Sequence, residues 1–373
     1  MPRCVPLILL LFTAPAFAAD WPLHRGDAAG TGLSTDTLPD DLELTWAYET
    51  GAAVKSSPVV ADGVVFVGSD DKHVHAIDLK TGEKRWAFET GGVVEAPPMV
   101  WRGVVYVGSD DAWLYALDAA DGTPRWKFQT DNRIVGAATP AVLPATGDQP
   151  AREVIIFGSY DNHLYCLDAA TGQKVWARET DSYINATPTV HDGLIYVGGC
   201  DRFFYAVELA TGEVVFTVEL GGEVPKAAAV AQGKAFVGHY QNELAAIDLE
   251  KEKLAWTFHD KTFPFASAPA VKGRTLVVGS RARRVYALNT SDGKERWAFR
   301  VRGGTDSNPV IVGDHVLFGA DDGRVYRLTL DEGEAVWSAT IGDKITAGVA
   351  VADGMLIVPC EDGSVYAFGK KDE

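Results

Sequence analysis

Cysteine is scarce, with four in 373 residues. Cys4 precedes an apolar run at the N-terminus, and Cys166, Cys200 and Cys360 stand far apart. Neither a disulfide framework nor a zinc-type spacing can be drawn from them. Basic residues are also short, 34 against 51 acidic ones, for a net charge of −17. Such a chain repels phosphate backbones and anionic headgroups, which excludes nucleic acid and electrostatic membrane attachment as expected roles. After the first dozen residues no apolar run approaches membrane length, so no transmembrane span is expected. A Gly-x-Ser-x-Gly elbow and a His-Glu-x-x-His helix motif are both missing. What is present is a composition 47% hydrophobic and 23% charged, well able to build a large core.

The first residues read as a targeting segment. Arg3 supplies the positive start, residues 5–12 are apolar but for Pro6, and Ala16-Phe17-Ala18 is a small-x-small cleavage site. Residues 1–18 are therefore expected to be a signal peptide, and the mature chain to be exported, periplasmic or secreted. Cys4 lies on the wrong side of the apolar run for a lipid anchor. Residues 19–41 form an N-terminal extension.

The remainder is periodic. Trp46, Trp86, Trp126, Trp176, Phe216, Trp256, Trp297 and Trp337 follow one another at 40 residues, with one interval of 50 and one of 41. A period near forty with aromatic punctuation signals a propeller of four-stranded blades. Between the aromatics, short β-rich runs alternate with turns such as Asp62-Gly63 and Thr81-Gly82. The last unit, up to Phe368, has three strands and no tryptophan, whereas residues 42–48 form a tryptophan strand with nothing before it. The expected fold is all-β: one eight-bladed propeller over residues 42–369, closed by the N-terminal strand, with a charged tail at 370–373. The interval of 50 places a longer hairpin at 143–152, expected to be a tolerated surface insertion.

The pattern Ala76-x-Asp78-x-x-Thr81-Gly82-x-x-x-Trp86 resembles the tryptophan-docking motif of the pyrroloquinoline-quinone (PQQ)-type propeller repeat. The eight aromatics named above are then structural docking residues. Residues 21–32 resemble the N-terminal segment of such proteins. The resemblance implies two branches. Quinoprotein dehydrogenases hold the quinone over the channel beside calcium. The BamB-type propeller of the β-barrel assembly machinery is a non-enzymatic scaffold. The chain lacks the adjacent cysteines often found beside the quinone, and it is little more than a bare ring.

Two sets of candidate residues follow. Lys55, Glu95, Asn185, Lys226 and Asp306 begin the channel-lining strands. If the dehydrogenase branch applied, Glu95, Asn185 and Asp306 would be the cofactor-binding residues, for PQQ with calcium. They fall in blades two, four and seven, spread by about 90° and 135°, which suits one calcium cluster poorly. The two lysines are expected to balance Glu95 and Asp306 across a wet channel. His73 and His75 point to one side of a strand, but further ligands for a metal cannot be named. The second set is a partner-binding face of Tyr160, Tyr183, Arg202, Phe203, Tyr240, Phe263, Phe265, Arg281, Arg283 and Arg284, on the varied turns of blades three to six. Aromatics with arginine are the usual anchors of a protein interface. Trp101 and Trp113 offer a carbohydrate-type platform. The leading expectation is a monomeric, non-enzymatic envelope scaffold that binds protein without a cofactor. The alternative is a minimal calcium-dependent quinoprotein.

Overall fold

A computed structural model describes residues 20–147, 150–260 and 263–370. The expected signal peptide and all but the first residue of the charged tail lie outside them.

Each forty-residue unit folds into four antiparallel strands. In blade 1 these are Val59–Ala61, Val64–Gly68, His73–Asp78 and Lys84–Glu89. The second strand, Val-Val-Phe-Val-Gly, is buried on both faces because a blade lies on either side of it. The fourth alternates exposed and covered, because only the face carrying Trp86 and Phe88 is packed against the next blade. Blades 2 to 7 span residues 99–129, 139–179, 189–219, 229–259, 270–300 and 310–340. Blade 8 is composite: Glu43–Glu49 pairs antiparallel with Ser364–Gly369, setting Trp46 opposite Ala367. The result is an eight-bladed β-propeller in which the first ring strand closes the last blade. The described residues contain no helix, and so none long and apolar enough to cross a membrane.

The seams between blades show why the aromatic recurs. The Trp86 indole N–H donates to Ala119 O of the next blade at 3.0 Å. A Cβ on Gly122 would stand 2.7 Å from the same ring. Glycine is required there twice over, for the close approach and for a φ of +76°. Six other tryptophans repeat the bond, to Leu79, Ala169, Leu209, Thr290, Leu330 and Leu42. Seam 4–5 departs: Phe216 has no N–H to give, and Glu252 replaces the glycine at a φ of +55°.

The N-terminal extension closes one end of the channel. Its carbonyls accept the backbone N–H of Val60, Val100, Val190, Val230, Val271 and Ile311, one from the innermost strand of each of six blades. The equivalent residue of blade 3 is Pro140, which has no N–H to donate. There the segment turns inward instead, with Gly26 N–H bonded to Leu23 O. Arg25, 2% exposed, sends its guanidinium to Pro269 O and Pro309 O at 2.7 and 2.8 Å. Burial lowers its pKa to about 10. Residues Leu33–Ser34 then run parallel to blade 7, and Asp36 accepts Gly354 N–H on blade 8.

Candidate functional site

With one end of the channel closed, the other becomes a dead-end funnel of about 260 Å³. It opens on the face carrying the blade-to-blade links and the turns between second and third strands. His24, from the inward turn of the N-terminal segment, lines it from below. Burial and the neighbouring Arg25 and Lys226 hold that imidazole well below its ordinary pKa, so it is neutral.

The segment leading into the innermost strand of every blade sends one to three residues to this funnel. Many of them stitch blade to blade. Ser57 Oγ accepts Gly348 N–H at 2.8 Å, Thr187 Oγ1 accepts Ala137 N–H at 3.0 Å, and Asn308 Oδ1 accepts Ala268 N–H at 2.7 Å. Above them lies a charged ring. Lys55 binds Asp70 at 2.6 Å and Glu95 at 3.3 Å. Arg281 grips Asp306 through two nitrogens, Nε to Oδ1 at 2.8 Å and Nη2 to Oδ2 at 2.6 Å. The guanidinium fork takes the Asp306 carboxylate in a geometry an ammonium cannot match, so Asp306 and Glu95 act on Lys226 through charge alone, without a direct contact.

Glu95, Asn185 and Asp306 all line this one funnel despite coming from three separate blades. They do not fit a calcium site. Glu95 and Asp306 are each held by a cation, and among the described residues no group of three His, Cys, Asp or Glu side chains is placed to share a metal ion. Calcium takes six to eight oxygens.

Around the mouth stands a shelf of aromatics. The Tyr160 and Tyr183 rings stack with centroids 5.0 Å apart and 11° between planes. Arg133 covers Tyr160 at 4.3 Å and reaches Asp110 at 3.5 Å. Arg281 lies 5.7 Å from the Tyr240 ring. Tyr183, Tyr240 and Phe263 are 45%, 38% and 46% exposed, high values for large apolar side chains. Two expected members of this face are elsewhere. Phe265 is fully buried between blades 5 and 6, packed on Phe258 and Tyr286, because its residue turns into the core as the link enters blade 6. Phe203 is half-buried against the core of blades 3 and 4. Arg202, Arg283 and Arg284 are exposed, but Arg281 is committed to Asp306, so the four do not form one free basic cluster. Arg133 was not legible as a member; only its stacking on Tyr160 brings it in.

Part of the varied face is scaffold. Tyr115 donates to Asp111 at 2.7 Å, and the same carboxylate accepts Gly91 N–H from the preceding link at 2.6 Å. Tyr165 with Asp161, Tyr205 with Asp201, Tyr326 with Asp322 and Tyr366 with Asp362 repeat the tyrosine bond. In blade 1 the tyrosine is replaced by His75, whose two nitrogens meet Asp71 at 3.0 Å and Tyr48 at 3.1 Å. That imidazole is thus spent within the fold. Trp101 and Trp113 sit at opposite ends of blade 2 and make no common platform: Trp101 closes its first strand and Trp113 opens its third.

A family model for the outer membrane protein assembly factor BamB matches residues 27–182, 160–266 and 243–372. The chain belongs to the BamB family. The BamB structure from Moraxella catarrhalis superposes with a TM-score of 0.72 at 20% identity, covering 89% of this chain and 99% of that one. The quinohemoprotein alcohol dehydrogenase of Comamonas testosteroni superposes at 0.78 and 18% identity, over 95% and 81% of the two chains. At such identities the likeness is one of fold. Two curated enzymes share shorter stretches with this BamB-family chain. The 1-butanol dehydrogenase (cytochrome c) of Thauera butanivorans is 36% identical over 87 residues, 21% of this chain and 13% of its own. The Comamonas enzyme is 39% identical over 72 residues, 17% and 10%. The chain thus matches only a small part of either enzyme.

Proposed function

We propose that this chain is a non-enzymatic interaction propeller of the cell envelope, exported by its N-terminal signal, which docks a protein partner on the face around the funnel mouth. The observation that carries this reading is the Arg133–Tyr160–Tyr183 stack with Tyr240 and Arg281 beside it. Large rings held rigid by neighbouring guanidinium groups, yet exposed, have the composition of interface anchors. Their ordering cost is already met within the ring, so a partner gains most of their contact area. The family membership and the commitment of Glu95 and Asp306 to cations support the same reading.

The test is site-specific cross-linking in intact cells. A photo-reactive residue at Tyr183 should give a discrete protein adduct, lost when Tyr160 and Tyr240 are both changed to alanine. The same probe at Lys80, on the opposite face, should give none. Equal adducts from both faces would overturn the reading. So would calcium-dependent binding of PQQ to the purified protein, abolished by Glu95→Ala or Asn185→Ala, since that would favour the dehydrogenase branch.

A further inference from the structure

The eight repeats can be compared with one another at the innermost strand. Four residues before the position whose N–H meets the N-terminal segment in six of the blades, seven blades carry Ser56, Ala96, Gly136, Ala186, Ser267, Ser307 and Ala347. All seven are small and buried. In blade 5 the residue is Lys226. Packing a ring of small residues has no use for a lysine at one position. Its side chain lines the funnel and makes no hydrogen bond or ion pair among the described residues. The four charged neighbours in the funnel already have direct partners, Lys55 with Asp70 and Glu95, and Arg281 with Asp306. Lys226 is therefore the one cation of the funnel without a direct partner among the described residues; Asp306 and Glu95 favour its charge only at a distance, and confinement holds its ammonium below the ordinary lysine range.

A second polar group in the same cavity is also idle. Asn185 lines the funnel from blade 4, the neighbour of blade 5, and its buried Oδ1 has no partner. Neither of its amide atoms is used by the described residues. One ammonium and one carboxamide form a recognition pair for a chain terminus: the carboxylate takes a charge-assisted bond from Nζ and a neutral bond from Nδ2, and the idle Oδ1 is left to accept a backbone N–H of the same segment. A dianion such as phosphate is disfavoured, since Asp70, Glu95 and Asp306 stand around the same ring and only one cation there lacks a direct partner. The cavity is smaller than the ~300–1,000 Å³ of drug-sized ligand sites. It is also blind, because the N-terminal segment closes it beneath His24. A blind, narrow funnel suits the end of a chain better than a strand passing through.

We propose that Lys226 and Asn185 anchor the free C-terminal carboxylate of an extended peptide segment, whose preceding residues lie on the Tyr160–Tyr183–Tyr240 shelf. This rests on the docking function proposed above and names what the partner inserts.

The experiment uses the mature protein and two probes, the tripeptide Ala-Ala-Phe as free acid and as C-terminal amide, titrated calorimetrically. The free acid should bind about tenfold to a hundredfold more tightly than the amide, the range of a charge-assisted hydrogen bond. Lys226→Ala should erase that difference. This variant restores the residue found in blades 2, 4 and 8, so it is expected to fold. Lys226→Arg, which keeps the charge, should retain part of the discrimination. Equal binding of acid and amide, no binding of the acid at millimolar concentration, or undiminished discrimination in Lys226→Ala would each overturn the anchor. Cross-linking separates this from the docking reading. If Lys226→Ala leaves the Tyr183 adduct intact, the anchor falls and the shelf stands. If the adduct is also indifferent to Tyr160 and Tyr240, both fall.

Discussion

Blade 2 and blade 5 are cut from the same unit and hold different contacts. Blade 2 receives an indole bond on Ala119 and seats the Trp86 ring on Gly122. Its Tyr115 ties Asp111 to the preceding link. Ala96 packs silently at the channel. Blade 5 has Phe216 against it with no indole, Glu252 for the glycine, and Ala245 and Gln241 where tyrosine and aspartate stand. Lys226 takes the place of the small channel residue, and His239, fully buried, takes the place of Ser109. The changes at Phe216, Glu252, Ala245 and Gln241 give up contacts that other blades use to hold the ring, whereas His239 still accepts Gln241 N–H as Ser109 accepts Asp111 N–H. A closed ring tolerates one such blade because its neighbours are fixed independently, each seam adding its own term. The lesson is that a repeat protein supplies its own controls: where one copy abandons a bond kept by the rest, the residue put there answers to something other than the fold.

The largest effect should come from breaking a regular seam. Trp86→Ala removes a ring lodged against blade 2 and should cost about 3–5 kcal/mol, as for other buried aromatics. Trp86→Phe, which copies seam 4–5, should cost about 1 kcal/mol, the net worth of the hydrogen bond to Ala119. Urea unfolding of the two variants checks both figures. If Trp86→Phe proved as costly as Trp86→Ala, the indole bond rather than the ring would govern the seam.

The converse is to make seam 4–5 like the others. Phe216→Trp alone should not stabilise, because in every other tryptophan seam but that onto blade 8 the ring rests on a glycine where a Cβ would lie within 3 Å. Glu252→Gly alone should gain up to about 1 kcal/mol by relieving a side chain at positive φ. Together they should gain a further ~1 kcal/mol, with a coupling energy measurable in a double-mutant cycle. Additive behaviour would show that the ring and the glycine are not one device.

The ring itself could be read from the sequence, because the seams depend on residues with few substitutes. A tryptophan, a glycine at positive φ and a turn aspartate recur at fixed spacing, and the arithmetic of 40 locates each strand. The unpaired strand around Trp46 also declared how the circle closes. The site was legible only in part. Tyr160, Tyr183 and Tyr240 stood out as aromatics on varied turns, but the inward turn of Phe265 is set by three-dimensional packing that a loop position does not reveal. The partition of Lys55, Arg281 and Lys226 among the carboxylates depends on reach across blades. The plug was least visible. Nothing in residues 21–34 alternates like a strand, since their bonds go to six different blades in turn. The resemblance of residues 21–32 announced a segment but not its course, and Pro140, the missing donor, marks where that segment dips.

The smallest expected effect concerns a carboxylate beside the funnel, and its sign is unusual. Asp321 has a pKa raised to about 6, chiefly by burial and then by the facing charge of Asp306, with Glu361 adding to the shift and Lys344 and Arg281 opposing it. Its Oδ1 is buried without a partner. A carboxyl whose folded pKa exceeds its unfolded value binds its proton more tightly in the native state. Between the unfolded value and about 6 the native state therefore carries the extra proton, and stability falls as pH rises through that window. Asp78 is the opposite case, held at about 2 chiefly by Arg85, so its contribution is present above the unfolded value and is lost as pH falls towards 2. Asp321→Asn should raise the melting temperature at pH 7.5 and leave it nearly unchanged at pH 4, where the native carboxyl is already neutral. Asp78→Asn should lower it at both, since Arg85 and the turn amides lose their carboxylate at either pH. If Asp321→Asn were destabilising at pH 7.5, the charge at this position would be serving the ring as Asp78 does, and the contrast between funnel carboxylates and turn carboxylates would fail.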